Sequence, residues 1–162
     1  MTVYSIRKTH FEELGLCVSV IRQSFITVSE EFGLTLQNCP TNGAFVQVER
    51  LIADWNQGAG LYGLYCNEEL IGFMELKRKD LKVFELEKLC VLPQHRHLGN
   101  GELLLDFARK EVTRMGGNKI MIGIIDNNTR LKEWYLKHGY IHVNTANLAH
   151  LPFIVGLMEM II

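Results

Sequence analysis

Val91-Leu92-Pro93-Gln94-His95-Arg96-His97-Leu98-Gly99-Asn100-Gly101 lies between a segment that reads as a strand and one that reads as a helix. Before it, Val83 to Val91 follows a charged turn at Arg78-Lys79-Asp80 and has the composition of a strand. After it, Glu102 to Met115 brings Leu104, Ala108, Val112 and Met115 back at helical spacing and stops at Gly116-Gly117. Lys119 to Ile125 is then a strand of buried type. Strand, helix, strand in this order predicts a parallel pair. A glycine-rich turn that enters a helix N-terminus leaves backbone N–H groups unpaired at the positive end of the macrodipole, which suits a pyrophosphate, and Arg96 is expected to add a charge-assisted contact.

Outward from this stretch, Leu61 to Cys66 and Leu70 to Lys77 read as strands joined at Asn67-Glu68, making an antiparallel meander with Val83 to Val91. Val3 to Arg7 predicts an opening strand. Thr9 and Glu12 predict a capping box for a helix that runs to about Ser29, with Leu14, Cys17, Val18, Ile21, Phe25 and Val28 on its inner stripe. Glu30 to Gly43 should be mostly loop, and Phe45 to Asn56 a second helix with Val48, Leu51, Ile52 and Trp55 inward. Asp126 to Thr129 supplies cap chemistry for a last helix carrying Leu131, Trp134 and Tyr135, which ends at Gly139. Tyr140 to Val143 and Ile154 to Met160 are expected to close the sheet as a hairpin. The fold class is α/β (α+β): a mixed, mostly antiparallel sheet with one parallel pair and about four helices, with residues 1–162 as one domain.

The chain has 162 residues, 48% of them hydrophobic and 22% charged, with a formal net charge of −1. That size supports a continuous core. Without a basic surplus, nucleic acid is not an expected partner. The apolar runs are too short to span a bilayer and Met1-Thr2-Val3-Tyr4 has no signal-peptide character, so a cytoplasmic protein with no membrane partner is expected. Cys17, Cys39, Cys66 and Cys90 are dispersed, with no metal-ligand spacing, and read as reduced thiols. His95 and His97 read as loop residues rather than ligands, and no metal is expected.

The turn resembles motif A of the GNAT superfamily of N-acetyltransferases, through Arg96, Gly99 and Gly101, preceded by Val91 and Pro93. Downstream, Tyr135-Leu136-Lys137-His138-Gly139-Tyr140 is similar to a second segment of that family, with Asn128 seven residues before Tyr135. His97 departs from the pattern, standing where a glycine is common. The resemblance implies acetyl-CoA as cosubstrate, phosphates on the turn from Arg96, His97, Leu98, Gly99, Asn100, Gly101 and Glu102, and a pantetheine arm between two splayed strands along Leu89, Cys90 and Val91. It also implies a coenzyme contact from Asn128 and a general acid in Tyr135, which would protonate the leaving thiolate.

Attack on a thioester needs a neutral amine, so a base is required. Glu85 and Glu87 fall on the same strand face as Leu89 and Val91, since side chains alternate with period two, and Glu87 is slightly preferred. The acceptor is an amine that the sequence does not name, whether small molecule, peptide or protein. A non-catalytic acyl-CoA-binding module is the competing reading, and a covalent Cys90 thioester a weaker third. The apolar tail Met158 to Ile162 fits either a homodimer contact or a central strand.

Overall fold

Asn67 and Glu68 both take left-handed backbone (φ 49° and 73°), the two-residue turn whose twist matches paired strands. It folds Gly60–Cys66 (β2) against Glu69–Arg78 (β3). Asp80 then accepts hydrogen bonds from the N–H groups of Lys82 and Val83 at 2.8 and 2.9 Å, reversing the chain into Val83–Val91 (β4). Tyr4–Lys8 (β1) adds to the other edge of β2. In this computed structural model, which describes Met1–Ile162, the remaining strands are Lys119–Ile125 (β5), Ile141–Ala146 (β6) and Val155–Ile161 (β7). They form one sheet in the order β1-β2-β3-β4-β5-β7-β6, in which only β4 and β5 run parallel.

Helices cover both faces. Leu14–Glu31 (α1) and Val48–Asn56 (α2) lie on the face that carries Phe73, Glu75 and Cys90; Asn100–Arg114 (α3) and Thr129–Lys137 (α4) lie on the face of Phe84, Ile120 and Ile122. One continuous core joins Leu14, Ile21 and Leu51 from the first pair, Leu104, Ala108 and Val112 from α3, and the inner residues of β2 to β5 and β7. Each such aliphatic side chain contributes roughly 1.5–3 kcal/mol when removed from water. A smaller cluster of Leu34, Cys39 and Ile125, with Leu151 and Phe153 against it, ties the α1–α2 connection to the β6–β7 connection at the end of β5.

Three expectations shift, and one open alternative is decided. The cap at the first helix moves one residue on, because Thr9 is buried with its N–H and hydroxyl on Leu61 O, so Glu13 rather than Glu12 receives the free N–H of His10 (2.7 Å). The second helix begins at Val48, after a short turn Gly43–Phe45, because Val46 is extended and its carbonyl accepts from Arg22 Nε at 2.6 Å. The helix after the glycine-rich turn starts at Asn100, two residues earlier than expected. The tail is a central strand: Met158 and Met160 lie on β7, paired with β5 on one side and β6 on the other, so those residues are not free for a partner.

Tyr140 is 1% exposed and its hydroxyl has no hydrogen-bond partner. A buried, unsatisfied O–H is a desolvation cost. Tyr140→Phe is therefore expected to leave stability unchanged or raise it by about 1 kcal/mol in urea unfolding; a clear loss would reveal a partner for that hydroxyl.

Candidate active site

At the start of α3, the backbone N–H groups of His97, Leu98, Gly99, Asn100, Gly101 and Glu102 have no acceptor within the protein. Gly99 caps the helix with φ 85°, a conformation that disfavours any side chain, and His97 reaches φ 62° without being glycine. His97 thus supplies the same left-handed turn a glycine would, and its imidazole is exposed. Gly101 is needed for a second reason: an added Cβ would stand 2.9 Å from the Trp134 ring. The free amides and the helix dipole make this turn an anion cradle, with Leu98 and Gly99 at its exposed rim.

Arg96 is placed differently from the sequence expectation. Its Nε donates to Val91 O (3.1 Å), and its two terminal nitrogens donate to Thr27 Oγ1 (3.1 Å) and Ser24 O (2.6 Å) of α1. The guanidinium is spent on fixing the turn against α1 rather than presented to an anion. Asn100 also points inward: it is 2% exposed and donates from Nδ2 to His95 O at 2.8 Å. Glu102 lies in the first helical turn, its Oε1 3.4 Å from His138 Nε2. These two offer their main chain, not their side chains, to the cradle.

The strands before and after the turn separate. β4 and β5 pair only through Val83, Phe84 and Glu85 opposite Lys119, Ile120 and Met121. Beyond that point β4 keeps β3 and β5 keeps β7, leaving a gap between the two. Leu92 N–H donates to Ile71 O (2.8 Å), so by alternation the N–H and C=O of Val91 point to the opposite edge, into the gap. The Arg96 contact takes that C=O. The N–H of Val91 is left facing the gap, next to the anion cradle.

Regular alternation does not hold along β4. Glu75 pairs with Glu87 and Phe73 with Cys90, so Glu87 and Cys90 share a face although three residues apart. The extra residue is a bulge at Lys88, which has φ 53°. Leu89 and Val91 therefore face away from Glu85 and Glu87, and the expected four-residue row is broken. The bulge also delivers the Lys88 ammonium to the α2 side, 3.5 Å from Asp54, 3.4 Å from Glu75 and 3.3 Å from Glu87. Lys77 meets the same three carboxylates at 3.3, 3.2 and 3.0 Å.

Asp54 and Glu75 went unrecognised from the sequence. Asp54 sits on an otherwise ordinary amphipathic helix and Glu75 in an apolar strand, where a charge surrounded by Phe73, Met74 and Leu76 was the available signal. Glu75 is fully buried, and burial raises its carboxyl from 4.5 to about 7. Glu85 is raised chiefly by its hydrogen bond to Glu87, then by burial. For Glu87 burial opposes ionisation, but the Glu85 hydrogen bond and the two lysines outweigh it and hold the carboxyl low. Glu85 also keeps a path to water, with a 29% exposed side chain paired to Lys79 at 3.3 Å. No group of His, Cys, Asp and Glu side chains is arranged to hold a metal ion.

Tyr135 is on α4, on the opposite face of the sheet. It is buried, edge-on to Trp134 and Tyr140 with centroids 5.0 and 5.2 Å away, and burial raises its phenol, so it stays protonated. Asn128 caps α4 through Oδ1, accepting from Leu131 N–H at 3.2 Å. Cys90 faces α1, and burial pushes its thiol up to about 12, which removes the thiolate a covalent route needs. The sheet around the gap therefore has carboxylates on its α1/α2 face and a protonated phenol on its α3/α4 face.

A model of the acetyltransferase (GNAT) family matches residues 31–140, more than half of the chain. Among solved structures, the PaiA N-acetyltransferase of Thermoplasma acidophilum in complex with coenzyme A superposes with a TM-score of 0.78 at 22% identity, over 99% of each chain. The ribosomal-protein-S18-alanine N-acetyltransferase of Escherichia coli gives 0.79 at 13% identity, over 99% of this chain and 94% of that one. YncA, a putative acetyltransferase of Salmonella typhimurium with its cofactor acetyl-CoA, gives 0.73 at 14%, over 98% and 93%. No curated protein matches the sequence. At these identities the structural likeness shows the fold.

A carboxyl with a folded pKa above its unfolded one binds more protons when folded, so it lowers stability as pH rises between the two values. For Glu75 that window runs from 4.5 to about 7. Glu75→Gln is expected to flatten the decline of unfolding free energy across the window, with a residual slope from Glu85. An unchanged slope would show that Glu75 is ionised throughout.

Proposed function

The chain belongs to the acetyltransferase (GNAT) family, and from that premise we propose that residues 1–162 act as one domain that moves an acetyl group from acetyl-CoA to a primary amine by direct attack in a ternary complex. The observation that carries the reading is the conjunction of six unpaired amides at the head of α3 with a gap between β4 and β5. A pyrophosphate satisfies the amides of His97 to Glu102, and an extended pantetheine arm takes the place of the missing strand along Leu89, Cys90 and Val91.

The N–H of Val91 faces the gap and is placed to hydrogen-bond the thioester oxygen as charge develops there. The amine enters from the α1/α2 side, where its proton passes to a carboxylate. The electrostatics favour Glu85 over Glu87 for this role. A carboxylate held above its ordinary pKa is the stronger base, whereas Glu87 is fixed low by Glu85, Lys88 and Lys77. As the C–N bond forms and the C–S bond breaks, the departing sulfur takes a proton from the Tyr135 hydroxyl on the opposite side. Asn128 then serves the coenzyme mainly by fixing the start of α4, since its Oδ1 is occupied.

Calorimetric titration with acetyl-CoA tests the binding step, and thiol release over a panel of amines tests transfer. Tyr135→Phe is expected to lower kcat by about a hundredfold or more with acetyl-CoA affinity unchanged, as for loss of a general acid. Glu85→Gln is expected to lower kcat more than Glu87→Gln. Absence of acetyl-CoA binding by the wild type would overturn the reading.

A further inference from the structure

We propose that Lys88 is a positioning residue: its ammonium, captured by Asp54, Glu75 and Glu87, holds the left-handed bulge that turns the Val91 edge of β4 toward the coenzyme, an inference that rests on the acetyl-CoA reading of the gap. Four non-glycine residues have positive φ, and Lys88 is the one that lies inside a strand. Asn67 and Glu68 form a hairpin turn and His97 a loop, where such backbone is usual. In a strand it persists only if the surroundings over-determine it.

Here the side chain does so. The three ammonium protons meet carboxylates from α2, β3 and β4, all within 3.5 Å. With extended backbone at Lys88, alternation would send the side chain to the α3 face, among Phe84, Leu86 and Leu76, where an ammonium has no partner. The bulge and the ion cluster therefore form together. The consequence reaches Val91, because a one-residue change of register reverses which edge each N–H faces. Without the bulge the N–H of Val91 would point to β3 instead of the gap. Lys88 acts through backbone direction alone and not by touching the coenzyme.

The test compares acetyl-CoA affinity in the wild type, Lys88→Met and Lys88→Gly. Methionine removes the ammonium and keeps the penalty of left-handed backbone, so the competent conformer becomes a minority and the dissociation constant is expected to rise about tenfold. Glycine also removes the ammonium but takes positive φ without that penalty, so affinity is expected to return to within about twofold of wild type. Lys77 stays within 3.3 Å of all three carboxylates and supports the folding of both variants. If Lys88→Met does not fold, the same comparison is made between Glu75→Gln/Lys88→Met and Glu75→Gln/Lys88→Gly, which carry one buried carboxylate fewer. Wild-type affinity in the methionine variant, or equal weakening by methionine and glycine, overturns the proposal while leaving the coenzyme reading intact. A wild type that does not bind acetyl-CoA overturns both.

Discussion

Two parallel strands that part after three paired residues must leave backbone donors and acceptors without a ladder, and everything else in this fold is arranged around that opening. β3 and β7 complete the outer edges of β4 and β5, so the sheet stays continuous although its centre is split. The connection between the split strands is the glycine-rich turn and α3, which places a row of free amides at the mouth of the opening. Unsatisfied backbone in strands and at a helix start thus meets in one place. A ligand with a charged phosphate end and an extended amide-bearing arm matches both kinds of demand.

The two helical layers give the opening two chemically different sides. On the α1/α2 side, lysines and carboxylates pack between α2 and the sheet, and their mutual arrangement sets which carboxyl is basic. Glu87 lies between two ammonium groups and is held ionised, whereas Glu85 is raised chiefly by its hydrogen bond to Glu87 and then by burial. On the α3/α4 side, Tyr135 is enclosed by Trp134 and Tyr140, and burial keeps its phenol protonated. Arg96 ties the layers together, since it reaches from the glycine-rich turn to α1. Its distribution of three donors over one carbonyl of β4 and two groups of α1 uses the geometry that lysine lacks.

Periodicity and turn chemistry made most of the architecture readable from the chain. The meander, the strand-helix-strand crossover, the last helix and the closing hairpin all have local signals, and local signals are what a one-dimensional pattern carries. The anion cradle was legible for the same reason, because a turn that enters a helix creates its free amides by itself. The site's second half was not. Regular alternation predicts Glu85, Glu87, Leu89 and Val91 in one row, and only pairing with β3 reveals the bulge that breaks it. Asp54 and Glu75 carried only weak local signals, and what joins them into one cluster is Lys88, 34 and 13 residues away.

By itself the sequence determined the order and type of the elements, the glycine-rich anion turn, and the residue types available for acid and base chemistry. These follow from hydrophobic period, capping and conformational preference, which act over a few residues. The tertiary structure decided where the strands part, that Arg96 and Asn100 turn inward, that the tail becomes a central strand, and which carboxyl is the stronger base. Each of these depends on what a group meets across space. Desolvation and Coulomb interactions are set by neighbours brought together from distant parts of the chain, and no local pattern encodes them.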